Sequence, residues 1–225
     1  ATPGKVVDLV RNLGIAAGGT VMEDCRVLEA CREGKYTSVL VQTHDKKYVE
    51  YRTEHFVNAL GSGAGKLCDS MGIDAGLYPV RHQAFITRRL PMLGKHGTNL
   101  DMLIDRQDYK GFSAVYGQQI AYTGQIIGCA SPKLDAMRID KNLKVNTKAF
   151  LEIVSEMFSE WIPDLAGVGI QAVWAGYYTE PRYIVDPELG LFVGMRGHGF
   201  MLSQYIARMY VDKLLGRPVP EYFEK

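Results

Sequence analysis

Three glycines fall within six residues in Gly194-Met195-Arg196-Gly197-His198-Gly199, directly before an apolar-periodic stretch over 200–215. Glycine loses more backbone freedom on folding than any other residue, so a turn this rich in it is costly unless the backbone must approach something closely. A strand before the turn and a helix after it aim free backbone N–H groups and the positive helix end at one point, a place suited to negative charge. His198 can add a donor there. Gly216, with Pro218 just beyond, closes the helix.

A second cluster, Gly61-Ser62-Gly63-Ala64-Gly65-Lys66, follows the apolar stretch 56–60. A phosphate-binding loop needs Gly-x4-Gly-Lys-Ser/Thr, but Leu60 and Leu67 stand where the first glycine and the hydroxyl belong. A dinucleotide fingerprint needs Gly-x-Gly-x-x-Gly, and Lys66 occupies the third glycine. What remains is a tight strand–helix connection, or a flexible turn where backbone approaches a ligand.

The rest of the chain reads as mixed α/β (α+β). Helical periodicity covers 3–13, with Gly14 at its end, then 66–71 and 146–161, where Asn146-Thr147 caps and Phe150, Leu151, Val154, Met157 and Phe158 share a face. Strands are expected at 20–28, 38–43, 48–52, 55–60, 83–87, 100–105, 112–116, 120–127, 169–175, 183–185 and 191–193. Twenty-six Lys+Arg against 25 Asp+Glu leave a formal net charge of +1, which favours neither nucleic acid nor an acidic membrane surface as partner. The longest apolar runs fall short of the roughly 20 residues that span a bilayer, and the sequence opens without a charged-then-apolar leader. Cys25, Cys31, Cys68 and Cys129 lack Cys-x-x-Cys spacing and the histidines lack His-x3-His pairing. Free thiols in a cytoplasmic protein are expected, and no metal site.

Five segments carry a resemblance. Trp174-Ala175-Gly176-Tyr177-Tyr178-Thr179-Glu180-Pro181, Ile184-Val185-Asp186, and the run from Leu191 through Gly197-His198-Gly199-Phe200 are similar to the C-terminal signature of the D-amino-acid oxidase, glycine oxidase and sarcosine oxidase flavoproteins. Phe56-Val57-Asn58-Ala59-Leu60-Gly61 resembles the strand ending in Ala-x-Gly that closes their FAD-binding sheet. Tyr78-Pro79-Val80-Arg81-His82-Gln83 looks like their entry into the substrate domain. The resemblance implies part of an FAD/NAD(P)-binding flavoprotein fold with a sheet-based substrate domain, and FAD-dependent oxidation of a C–N bond in an amine or amino acid.

By that resemblance, 1–72 and 171–225 complete the flavin domain and 73–170 form the substrate domain. Val27, Ala59, Gly61, Gly194, Met195, Arg196, Gly197, His198, Gly199, Phe200 and Met201 are the expected cofactor contacts. His198 and Tyr178 are the expected catalytic groups, with Arg81, Trp174, Tyr177, Tyr178 and Met201 near substrate. The family's opening Gly-x-Gly-x-x-Gly unit does not occur. A polypeptide supplying that half is therefore expected, and without it weak FAD binding. Tyr178 and Met201 stand where the family's carboxylate-binding arginine and lysine belong, which leaves Arg81 or Arg196 as alternatives. No cysteine lies near Gly176, so a non-covalent flavin is implied. Loss of both anchors also fits a second reading, a non-catalytic scaffold subunit that keeps the fold. His82 fits either a site lining or a satisfied histidine. Tyr109 and Tyr116 read as sheet aromatics, and Met201, Tyr205 and Met209 as core.

Overall fold

The computed structural model describes residues 2–94, 97, 99–106, 112–132 and 147–224. Its mixed helices and sheets form two compact units. Unit 1 comprises Ala1–Leu77 and Thr179–Lys225, and unit 2 is Tyr78–Tyr178. Asn146 and Tyr109 lie outside the described residues.

In unit 1, helix α1 (Pro3–Ala16) starts on a proline, whose missing N–H costs nothing at a first helical position. It runs past Gly14, where periodicity placed its end. Gly18, at φ 92°, makes the stop instead, as the Gly18 and Gly19 N–H groups bond the Ile15 and Gly14 carbonyls. No residue of α1 is buried. Strands β1 (Arg26–Glu33), β2 (Tyr36–Gln42) and β3 (Tyr48–Thr53) pair antiparallel in that order. β1 begins later than expected because Asp24, at φ 54°, breaks the extended run. Helix α2 (Ala64–Ser70) sets Leu67 against Ala30, Val39 and Val41, and the Ser70 hydroxyl accepts the Ala30 N–H.

The expected strand at 55–60 reduces to one parallel bridge between Asn58 and Leu191. Asn58, 1% exposed, donates its N–H to the Gly190 carbonyl and accepts the Phe192 N–H. Its side-chain amide donates to the Ala64 carbonyl, and its Oδ1 accepts the Leu60 N–H. One side chain thus satisfies the Leu60 N–H, which a ladder would otherwise pair, and ties it to the first residue of α2. Leu191 belongs to β10 (Leu191–Val193), which pairs antiparallel with β9 (Ile184–Asp186). A long helix, α4 (Gly199–Leu214), and a short one, α5 (Glu221–Glu224), end the chain. Of the residues read as α4 core, Met201 and Tyr205 are 67% and 50% exposed. The reason is orientation: α4 turns Tyr210 toward Phe192, ring centroids 5.8 Å apart, and buries only Tyr210 and Asp212.

Unit 2 is built on a five-stranded sheet in the order β5-β6-β7-β4-β8, from β4 (Tyr78–Thr87), β5 (Leu103–Asp105), β6 (Phe112–Gln119), β7 (Ile126–Pro132) and β8 (Ile170–Glu180). β8 carries its last two residues into unit 1. The run expected as a strand at 120–127 turns instead, through Tyr122 at φ 72° and Gly124 at φ 68°. A Cβ on Gly124 would lie 2.7 Å from the Leu90 and Leu93 carbonyl oxygens.

β4 alternates strictly: Pro79, Arg81, Gln83, Phe85 and Thr87 are buried, and the residues between them half-buried. Its buried face meets α3 (Thr147–Trp161), whose Phe150, Val154, Met157 and Phe158 join Phe85, Val115 and Ile126 in one core. Phe85 and Phe158 meet edge to face at 5.4 Å. Gly128 and Gly117 make room for them, because a Cβ would stand 2.5 Å from the Phe85 ring and 2.7 Å from that of Phe158. Burying one such ring is worth about 1.5–3 kcal/mol. Among the described residues no helix is long and apolar enough to cross a membrane.

Candidate functional site

The alternation that buries Phe85 also turns His82 and Ala84 to the opposite face of unit 2's sheet. Register sets Ala84 opposite Cys129, and Cys129 opposite Tyr116, so these three form one row across β4, β7 and β6. β8 brings Trp174, Gly176 and Tyr178 to the same face at two-residue intervals. Together with Met102, Gln118, Ile127 and Tyr177 they line a hollow of about 320 Å³, within the range of small-molecule sites.

The His82 and Tyr178 rings stack there at 3.8 Å between centroids and 27° between planes. Burial holds the His82 pKa down to about 4, because desolvation penalises the imidazolium. Its Nδ1 is buried and makes no hydrogen bond among the described residues. The Tyr116 side chain hydrogen-bonds Tyr178 and the Cys129 thiol. Desolvation pushes all three groups upward, so this cluster is fully protonated near neutral pH. Arg81 lies on the other face of β4, 8% exposed beside Gln83 and Phe85, and does not line the hollow.

Unit 1 builds a different kind of site at the glycine-rich turn. Gly194, at φ 75°, packs so tightly that a Cβ would fall 1.9 Å from the Arg182 carbonyl oxygen. A Cβ on Gly199 would come within 2.9 Å of the Met195 Cβ. Between them Arg196 adopts φ 47°, unusual for a side-chain-bearing residue, and pairs with Glu180 at 2.6 Å. The hydroxyl of Tyr183 lies 2.8 Å from His198 Nδ1 in a hydrogen bond.

Arg196 and His198 are exposed, and α4 starts with neither a side-chain cap nor an acidic residue in its first turn. Its first N–H groups are therefore donors without a helical acceptor, next to two basic side chains, where Phe200 and Met201 are also exposed. This donor set fits an acceptor-rich, negatively polarised edge such as a flavin pyrimidine ring. Elsewhere in unit 1, Ala59 and Gly61 are exposed ahead of α2, Gly61 at φ 55°. Val27 packs on the Leu67 cluster from β1.

The candidates thus divide between the units. Trp174, Tyr177 and Tyr178 share the hollow in unit 2, whereas His198, Arg196 and the glycines gather at the α4 turn in unit 1. Sequence reading left Cys129, Gln118, Glu180 and Tyr183 without a role and took Tyr116 as a sheet aromatic. Only the β6–β7–β4 register reveals that Tyr116 and Cys129 face His82. Tyr183 had a weaker signal: it immediately precedes β9, and the antiparallel return through β10 brings it back beside 194–198.

No curated protein matches the sequence. Several solved structures share the fold. Glycine oxidase from Geobacillus kaustophilus superposes with a TM-score of 0.67 at 18% identity, covering 93% of this chain and 54% of that one. Iminodiacetate oxidase from Chelativorans sp. BNC1 gives 0.68 at 15%, covering 94% and 55%. Glycerol-3-phosphate dehydrogenase from Bacillus halodurans, complexed with FAD, gives 0.62 at 15%, covering 92% and 42%. This chain spans about half the length of these proteins. The FAD-dependent oxidoreductase family, DAO, matches residues 1–213, and the chain belongs to that family.

Proposed function

We propose that these 225 residues are the C-terminal portion, or a subunit, of a flavoenzyme that oxidises the C–N bond of an amine or amino acid. The observation that carries this reading is the uncapped α4 turn with Arg196 and His198 beside it. Bound FAD, held non-covalently, supplies the acceptor for the hydride that leaves the substrate α-carbon as the imine forms.

The residues of this chain have narrower tasks. The N–H groups at the start of α4, with those of Gly194, Met195, Arg196 and Gly197, offer hydrogen bonds to the cofactor's polar edge, while the His198 N–H donates to the Met195 carbonyl and His198 contributes through its ring. The Tyr183 hydroxyl orients the His198 ring, and Glu180 holds the Arg196 guanidinium. Gly61, Ala59 and Val27 are cofactor contacts on this reading as well. Trp174, Tyr177 and Tyr178 shape the substrate pocket, with residues 73–170 as the substrate domain between two flavin-domain segments, 1–72 and 171–225.

A Gly-x-Gly-x-x-Gly half supplied by further polypeptide completes the enzyme. Supporting this, Val7, Leu9, Val10 and Leu13 on α1 are 42–62% exposed, an apolar surface of the sort that associates. A cytoplasmic location accords with the four free thiols.

A visible absorption spectrum of the native preparation, with each co-purifying chain weighed intact, tests the proposal. A flavin spectrum bleached anaerobically by an amine or amino acid supports it. His198→Ala then lowers turnover on the order of 10²-fold, the usual cost of one donor to developing negative charge, while assembly survives. The scaffold reading draws on the absence of lysine and arginine from the hollow's described lining. It prevails when the assembled protein carries no flavin.

A further inference from the structure

The hollow in unit 2 is selective in its chemistry. Its walls include the aromatic side chains of Trp174, Tyr178 and Tyr116, the apolar side chains of Met102 and Ile127, and an imidazole. None of the described lining residues is Lys, Arg, Asp or Glu. The basic group present, His82, is stacked on Tyr178 and held neutral near physiological pH by its burial.

The two ends of an amino acid fare oppositely in such a place. A carboxylate surrenders its hydration and meets electron-rich rings and no counter-cation, the costly way to bury an ion. An ammonium group is attracted to the faces of aromatic rings such as these. It can also donate to a neutral imidazole nitrogen or a tyrosine hydroxyl, both acceptors. The volume, about 320 Å³, accommodates an aromatic ring with a short arm.

We propose that this hollow binds a carboxylate-free amine as its ammonium form, with an apolar or aromatic arm against Trp174 and Tyr178 and the nitrogen toward His82. The assignment of the hollow to the substrate rests on the function proposed above; the preference for an ammonium over a carboxylate rests on the lining alone.

Benzylammonium and benzoate are matched probes, alike in ring and opposite in charge. Both are titrated into the intact native protein while tryptophan fluorescence is read. The other tryptophan of these 225 residues, Trp161, packs on Phe158 at 5.3 Å and is not part of the lining, and the part of the signal that belongs to the hollow is identified by its loss in Trp174→Phe. The expected result is saturable binding of benzylammonium about ten-fold or more tighter than benzoate, or about 1.4 kcal/mol. Equal affinity, tighter benzoate, or no binding of benzylammonium overturns the proposal.

Flavin bleaching in the complete protein separates the two claims. If N-methylglycine bleaches the flavin and benzylamine does not, the substrate class proposed here is wrong and C–N oxidation stands. If neither bleaches it while benzylammonium still binds selectively, the preference of the hollow stands and C–N oxidation falls.

Discussion

At the α4 turn the candidate contacts are backbone N–H groups, positioned by Gly194 and Gly199, which tolerate nothing larger, whereas the hollow in unit 2 is walled by side chains from neighbouring strands. The two are stabilised differently as a result. The turn depends on local conformation: Gly194 against the Arg182 carbonyl, Arg196 in a left-handed conformation, and an ion pair to Glu180. The hollow depends on what lies behind it, since the strands that carry His82, Tyr116 and Cys129 stay in register through packing on their other face. Altering a core residue therefore reaches the hollow without touching its lining, while the turn is sensitive chiefly to its own residues.

The largest test of this contrast is Phe85→Ala. Phe85 is fully buried among Phe150 and Phe158, and truncating a core phenylalanine costs about 3–5 kcal/mol. Both tryptophans lie in unit 2, so their fluorescence follows that unit during denaturation, and far-UV circular dichroism follows the whole chain. The fluorescence midpoint should fall well below the dichroism midpoint in this variant. A coincident shift of both breaks the contrast, because the units then unfold together.

Acid provides an intermediate test. His82 is protonated in the unfolded chain below its ordinary value of 6.5 but in the folded unit only below about 4. Between those values the unfolded state holds the extra proton. Stability therefore falls as pH drops from about 6.5 to 4 and this contribution levels off below that, with a slope of at most about 1.4 kcal/mol per pH unit for one proton. Urea midpoints read by tryptophan fluorescence at pH 7 and pH 5 should differ. His82→Gln, which cannot titrate, should shrink that difference. An unchanged slope would mean that His82 is solvated and the hollow is wetter than its lining implies.

The smallest effect is expected at the turn. Tyr183→Phe removes one exposed hydrogen bond to His198, for a loss of about 1 kcal/mol or less. Its clearer readout is the ¹⁵N shift of His198 Nδ1, which should move as the ring loses its partner. Were the thermal midpoint instead to drop as far as in Phe85→Ala, the turn would not be the locally held element described here.

The turn was largely readable in advance because its determinants are consecutive residues. Glycine spacing, the strand before it and the closing Gly216 are all local facts. Helix α3 was readable for the same reason, since its apolar residues recur at helical intervals. The hollow was not. Alternation alone puts His82 and Phe85 on opposite faces of β4, but that Cys129 stands between Ala84 and Tyr116 is a matter of register, set by pairing partners far apart in sequence. Arg81 illustrates the limit: its charge suggested an anion site, yet the parity of the strand turns it away from the hollow. Apolar periodicity likewise placed Met201 and Tyr205 in a core, whereas α4 turns another of its faces toward Phe192.

Asn58 has a consequence for the timing of motions. The segment before α2 and the β9–β10 pair are joined by one bridge, whose two amide protons, on Asn58 and Phe192, are shielded by the same contact. In deuterated solvent they should exchange at a common rate, because the opening that frees one frees the other. That shared rate serves as a clock for the hairpin whose far end leads directly into the turn at Gly194.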